Sequence, residues 1–223
     1  MIQSNIQRSG VAIAAMLCGV LLAVSQAPPA RGATIAAHVR SPAGAAIADA
    51  VIYALPAASL PLPKPTLKIP IEQIDREFVP YVSAVQTGTT MVFPNRDPIR
   101  HHVYSFSRAK TFEIKLYSGN APSEILFDQP GVVTLGCNIH DWMIAYVQVV
   151  DTPYFAKTDA QGGAQLVNVP PGKYELKVWH PTQKGGGEPQ AVVVGQAGVA
   201  ASFVLDVAPR KRRYKPPLDK MHY

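Results

Sequence analysis

Leu135-Gly136-Cys137-Asn138-Ile139-His140-Asp141-Trp142-Met143-Ile144 carries a thiol, an imidazole and a thioether in a Cys-x2-His-x2-Met spacing. Apolar runs flank it, Gly131 to Leu135 before and Ile144 to Val150 after, and both read as strands. The segment between is therefore a loop leaving one strand and entering the next, short enough to aim all three side chains at one point. Upstream, Thr90 to Phe93 reads as another strand. Asn95-Arg96-Asp97-Pro98 and then Arg100-His101-His102-Val103 follow it. A second histidine, His101 or His102, thus stands at a strand end that can face the first loop.

Two imidazoles, one thiolate and a weakly held axial thioether suit a copper ion that changes oxidation state. Thiolate and thioether are soft donors that favour Cu(I), while imidazole accepts either state. Zinc also takes Cys and His, but structural zinc sites use four nitrogen or sulfur ligands without a thioether. The candidate ligands are His101, Cys137, His140 and Met143, with His102 as the alternative to His101.

These residues resemble the cupredoxins, most closely the amicyanin and plastocyanin branch. Val92-Phe93-Pro94-Asn95-Arg96-Asp97 with His101-x-Val103 is similar to that family's first-histidine segment. Phe78-Val79-Pro80 through Gly88-Thr89 is similar to the strand and turn before it, and Cys137, His140 and Met143 match the amicyanin ligand loop. The resemblance covers roughly residues 66–150. It implies a Greek-key β-sandwich, one type 1 copper ion, and redox donor and acceptor proteins as partners. Asn95 and Asn138 are expected beside the ligands, Asn138 bonding across to the first-histidine loop. Ile139 and Trp142 read either as an apolar docking patch around an exposed edge of His140 or as plain loop packing. Two positions depart from the family pattern. His102 stands where Asn is usual, and Leu135-Gly136 precede the cysteine where an aromatic residue is common. The wider layout, with Tyr104-Ser105-Phe106-Ser107 and Val150-Asp151-Thr152-Pro153-Tyr154-Phe155, resembles periplasmic proteins labelled methylamine utilization proteins, a label that names no pathway.

A second resemblance lies outside that region. Asp159-x2-Gly162 and Val169-Pro170-Pro171-Gly172-Lys173-Tyr174-Glu175-Leu176-Lys177-Val178-Trp179 resemble a carboxypeptidase-regulatory-like, transthyretin-like sandwich, and so does Val39 to Leu55. The fold class expected is all-β: a Greek-key cupredoxin sandwich plus an Ig/transthyretin-like sandwich. The second is split between 34–60 and 152–207, the cupredoxin part (66–150) is inserted, and 208–223 is a basic tail.

Composition agrees. Of 223 residues, 48% are hydrophobic and 16% charged, enough apolar material for one large core or two modest ones. Gly 16 and Pro 21 make the chain too turn-rich for a helical bundle. One short helix is expected near Ile71 to Glu77, and Ser59 to Pro65 reads as a stiff linker. Residues 1–33 have the layout of an export signal: Arg8, an apolar run from Val11 to Val24, then small residues, with cleavage between 27 and 33. The apolar run is short of the ~20 residues of a spanning helix, so no permanent membrane anchor is expected. A periplasmic location follows, with Cys18 leaving in the signal and Cys137 as the single thiol. The net charge of +6 and the basic run Arg210 to Lys215 suit weak contact with acidic surfaces, and export argues against nucleic acid. His38, His180 and His222 lack ligand spacing. Serine-hydrolase, P-loop and His-Glu-x2-His patterns are absent, so no enzyme is expected. The function implied is single-electron carriage; the alternative is an envelope copper-binding, sensing or partner-binding module.

Overall fold

The computed structural model describes residues 32–58, 61–120 and 123–210, with Met1 and Pro217 as single residues outside these stretches. The expected signal, Cys18, His222 and most of the basic run fall outside the described residues. Among the described residues there is no helix, and none is long and apolar enough to cross a membrane.

Alternation of apolar and polar residues builds the strands in chain order. The first pair is β1 (Ala33–Arg40) and β2 (Val51–Pro56). A middle group follows: β3 (Lys68–Pro70), β4 (Glu72–Ile74), β5 (Glu77–Val79), β6 (Val82–Gln86), β7 (Thr89–Val92), β8 (His101–Ser107), β9 (Lys110–Tyr117), β10 (Ile125–Phe127), β11 (Gly131–Gly136) and β12 (Ile144–Val150). The last group is β13 (Phe155–Lys157), β14 (Gly163–Val169), β15 (Gly172–Trp179), β16 (Gln183–Gly186), β17 (Gln190–Val194) and β18 (Val199–Val207).

Two four-stranded sheets, β14-β1-β18-β16 and β13-β2-β15-β17, enclose one apolar core of Ile35, Val39, Ile52, Leu166, Leu176, Phe203 and Leu205 among others. A five-stranded sheet, β6-β12-β11-β8-β9, and a three-stranded sheet, β10-β7-β3, enclose another, which includes Ile71, Met91, Phe93, Val103, Phe127, Leu135 and Val147. Each of these side chains is almost fully buried, contributing roughly 1.5–3 kcal/mol. The middle of the chain thus forms its own core, while β1, β2 and β13 to β18 share the other.

At the junction, Lys157 Nζ donates to the Val82 carbonyl oxygen (3.1 Å) and pairs with Asp49 (2.9 Å). The Tyr146 ring lies 6.2 Å from that of Trp179, and the Arg210 guanidinium stacks 3.7 Å over the Tyr81 ring.

The helix expected at Ile71 to Glu77 is instead the hairpin β4–β5. Its two corner residues, Asp75 and Arg76, take left-handed backbone angles (φ 53° and 58°). Their N–H groups donate to the Asp97 carboxylate, at 2.7 Å for Asp75 and 2.8 Å for Arg76. That acceptor, supplied from the loop after β7, offsets the cost of two non-glycine residues in the left-handed region.

Candidate metal centre

Register fixes both loops that carry the candidate ligands. Gly136 pairs with Ile144, so β11 and β12 close the loop 137–143 at its neck, and the Met143 N–H donates to the His140 carbonyl oxygen (2.9 Å). His101 opens β8 opposite Tyr117, and the β8–β9 ladder carries an irregularity between His101 and Val103. Such bulges re-aim side chains next to functional sites. Asn95, itself buried, closes the loop before His101. Its Nδ2 donates to the carbonyls of Ile99 (2.8 Å) and Tyr117 (3.0 Å), and its Oδ1 accepts from the Asp97 N–H (2.9 Å).

His101, Cys137 and His140 come together, with one donor atom from each within 4.8 Å of the others. His101 Nδ1 and His140 Nδ1 are 3.1 Å apart, and Cys137 Sγ lies 3.7 Å from His140 Nδ1. Donors about 2.0–2.3 Å from one ion sit at such separations from each other, so the group fits a single metal held by two nitrogens and one sulfur. Met143 is fully buried and belongs to the same apolar cluster as Cys137. His102 points to the opposite face of β8. Its Nε2 contacts Glu113 Oε1 at 2.8 Å and its ring packs 5.6 Å from that of Tyr104. His101 is therefore the histidine that meets Cys137 and His140.

Burial governs the electrostatics. It pushes the His140 imidazole down to about 4, with the His101 ring and Arg76 guanidinium adding to the effect and Asp97 opposing it. Burial also lowers His101, against the hydrogen bond and charge of Asp97. At neutral pH both rings are uncharged and hold lone pairs, the state that metal ligation requires. Nearby, Gln73 Nε2 donates to the Tyr117 hydroxyl, which donates to the Phe93 carbonyl (2.5 Å). Burial pushes the Tyr117 phenol up to about 12, with the Cys137 charge adding to it.

Other expectations change. Asn138 is exposed and, among the described residues, makes no bond to the first-histidine loop; Asn95 closes that loop on itself, and Asp97 holds His101 and the β4–β5 corner. His140 is not edge-exposed but wholly buried. The Trp142 ring lies 5.1 Å from it, and Trp142 Nε1 donates to the Arg76 carbonyl (3.0 Å), so the β4–β5 hairpin and Trp142 are fastened together beside the ring. Ile139 instead lines a depression of about 430 Å³ with Pro98, Ile99, Arg100 and Leu116. His180 caps a turn, its Nδ1 accepting from the Thr182 N–H (3.2 Å). Asp97 and Tyr117 escaped the sequence reading. Only the four-residue spacing from Asp97 to His101 hinted at the former.

At Gly136 the missing side chain has a cause. A Cβ there would lie 2.7 Å from Tyr104 Cζ, because the Tyr104 ring, across the ladder, covers the backbone just before Cys137.

No protein-family model and no curated protein matches the chain. Among solved structures, a Cu-containing nitrite reductase from Thermus scotoductus SA-01 is 23% identical over 43% of this chain and 25% of its own length, with a TM-score of 0.36. This chain thus spans a quarter of that enzyme. A purple cupredoxin from Nitrosopumilus maritimus is 22% identical over 38% of this chain and 99% of its own (TM-score 0.31). An amicyanin from Paracoccus versutus is 15% identical over 44% and 97% (TM-score 0.33).

Proposed function

We propose that this chain is an exported, periplasmic type 1 copper protein that carries single electrons between redox proteins and makes no bonds itself. One observation carries the reading: Cys137 Sγ, His101 Nδ1 and His140 Nδ1 converge, all buried, in an apolar core that also holds Met143. Copper held there would supply a Cu(II)/Cu(I) couple. The residues that would hold it are His101, Cys137 and His140, offering two neutral nitrogens and one thiolate from buried positions, with the Met143 thioether as a soft fourth donor. Ligands already in place need to move little between the two charge states. In this reading residues 66–150 are a cupredoxin inserted into a carboxypeptidase-regulatory-like sandwich (34–60 and 152–207) that supports it.

Burial of His140 favours a second reading, because an electron carrier gains from a ligand edge at its surface. Under it, the same ligands hold or report copper in the envelope without electron traffic. A visible spectrum and redox titration of the copper-loaded protein decide. Intense thiolate-to-Cu(II) absorption that cycles reversibly by one electron, and vanishes in a folded Cys137→Ser variant, supports the carrier. Tight Cu(I) binding with no stable Cu(II) form overturns it in favour of the second.

A further inference from the structure

Asp97, in the loop before His101, joins that loop to the corner of the β4–β5 hairpin. Its Oδ1 accepts the Asp75 N–H, and its Oδ2 accepts the Arg76 N–H and meets His101 Nε2 at 2.7 Å. From Arg76 the chain of contacts continues: its carbonyl accepts Trp142 Nε1, and the Trp142 ring packs on His140. The circuit therefore runs from His101 through Asp97, the hairpin corner and Trp142 to His140.

We propose that Asp97 is the positioning residue of this centre, fixing His101 in its Nε2–H tautomer and fastening the β4–β5 hairpin beside the site through the same carboxylate. The inference rests on the metal-binding reading above. A carboxylate only accepts hydrogen bonds, and a neutral imidazole carries a single N–H. With Nε2 at 2.7 Å from Asp97, the proton belongs on Nε2 and the lone pair on Nδ1, the atom that faces His140 Nδ1. Two carboxylate oxygens offer about four acceptor positions, so three donors are served without competition. The position after His101 holds His102, which faces the other way and so does not tie the loops there. Asp97 and the hairpin take over that task by a longer route. Its negative charge behind His101 also makes that ring a stronger donor, which favours the more highly charged state of a bound ion.

The test uses the full chain with 15N-labelled histidine, together with Asp97→Asn and Asp97→Ala. In the metal-free wild type, imidazole 15N shifts should show the Nε2–H tautomer of His101 in at least about tenfold excess, as a charge-assisted hydrogen bond implies. In Asp97→Ala the two tautomers should approach equal populations, and the Asp75 and Arg76 amides should exchange roughly tenfold faster or more. Asp97→Asn keeps an acceptor oxygen but drops the charge, so its copper-loaded form should show a higher reduction potential than wild type. An Nδ1–H tautomer in the wild type overturns the proposal. So does an Asp97→Ala variant in which only the hairpin amides change while tautomer and potential stay put. If Asp97→Ala does not fold, the wild-type tautomer and Asp97→Asn decide. If copper gives no thiolate band in the wild type, the electron-carrier reading fails, while the metal-free tautomer and amide measurements still judge Asp97.

Discussion

Burial of His140 makes the metal-free protein acid-sensitive, and the lowered His101 imidazole adds to it. The unfolded chain takes up a proton at His140 below about 6.5, whereas the folded protein holds the ring neutral down to about 4. Stability is therefore complete above the higher value and falls as the pH drops between the two, by up to about 3 kcal/mol at 1.36 kcal/mol per unit. Urea unfolding of metal-free protein at pH 7, 6 and 5 measures this, and His140→Gln should flatten the profile against wild type. A second prediction concerns Gly136. Gly136→Ala pushes a methyl into the Tyr104 ring, which lies at the end of a half-buried side chain and can swing partly aside. The cost should be about 1–3 kcal/mol, and a double-mutant cycle should recover most of it in the Tyr104→Ala background. The pairing of Cys137 with His140 was legible from sequence because one short loop carries both. His101 was preferred from its place relative to Asn95 and Val103, but His102 stayed open because adjacent strand residues differ only in which face they take. Asn138 misled because its loop turns it outward.

The β4–β5 hairpin shows why short strands elude pattern reading. Ile71 to Glu77 has no alternation long enough to separate strand from helix, and Asp75-Arg76 lacks the glycine or asparagine that marks a tight hairpin corner. Its left-handed corner is held by Asp97, twenty-odd positions downstream, so the signal is tertiary. Among longer strands, β15 carried its alternation openly and β12 was legible as a near-continuous apolar run. If Trp142 fastens this hairpin, Trp142→Phe keeps a ring near His140 but loses the bond to the Arg76 carbonyl. Denaturant unfolding should show a loss of about 1 kcal/mol, and the copper-loaded spectrum should keep its thiolate band, because no donor atom is removed.

The two cores are joined in a way that predicts separability. Cys137 and Met143 belong to the core of the middle strands, His101 opens β8 and His140 lies between β11 and β12, so none of the clustered donors comes from the other core. The chain leaves the first core after β2 and returns at β13, and these strands pair antiparallel with Tyr53 opposite Phe155. The exit and re-entry points are neighbours, so the long excursion can be replaced by a turn. The Ala57 N–H still bonds the Lys173 carbonyl and the Ala54 N–H the Tyr154 carbonyl, which places the cut just beyond both. Joining Ala57 to Pro153 through a short Gly-rich link should yield a folded β protein, because its apolar core is untouched. Shortening the connection also lowers the loop-closure cost, which grows as about (3/2)RT ln n, by on the order of 2 kcal/mol for a roughly hundred-residue loop cut to a few. The polar junction of Lys157 with Val82, and of Tyr146 with Trp179, would be lost, exposing Trp179. Circular dichroism and a thermal melt read the outcome: a cooperative β-sheet transition indifferent to copper is expected. A chain that stays unfolded would mean that the junction contacts, rather than the eight strands around Leu166, Leu176 and Leu205, hold this core together.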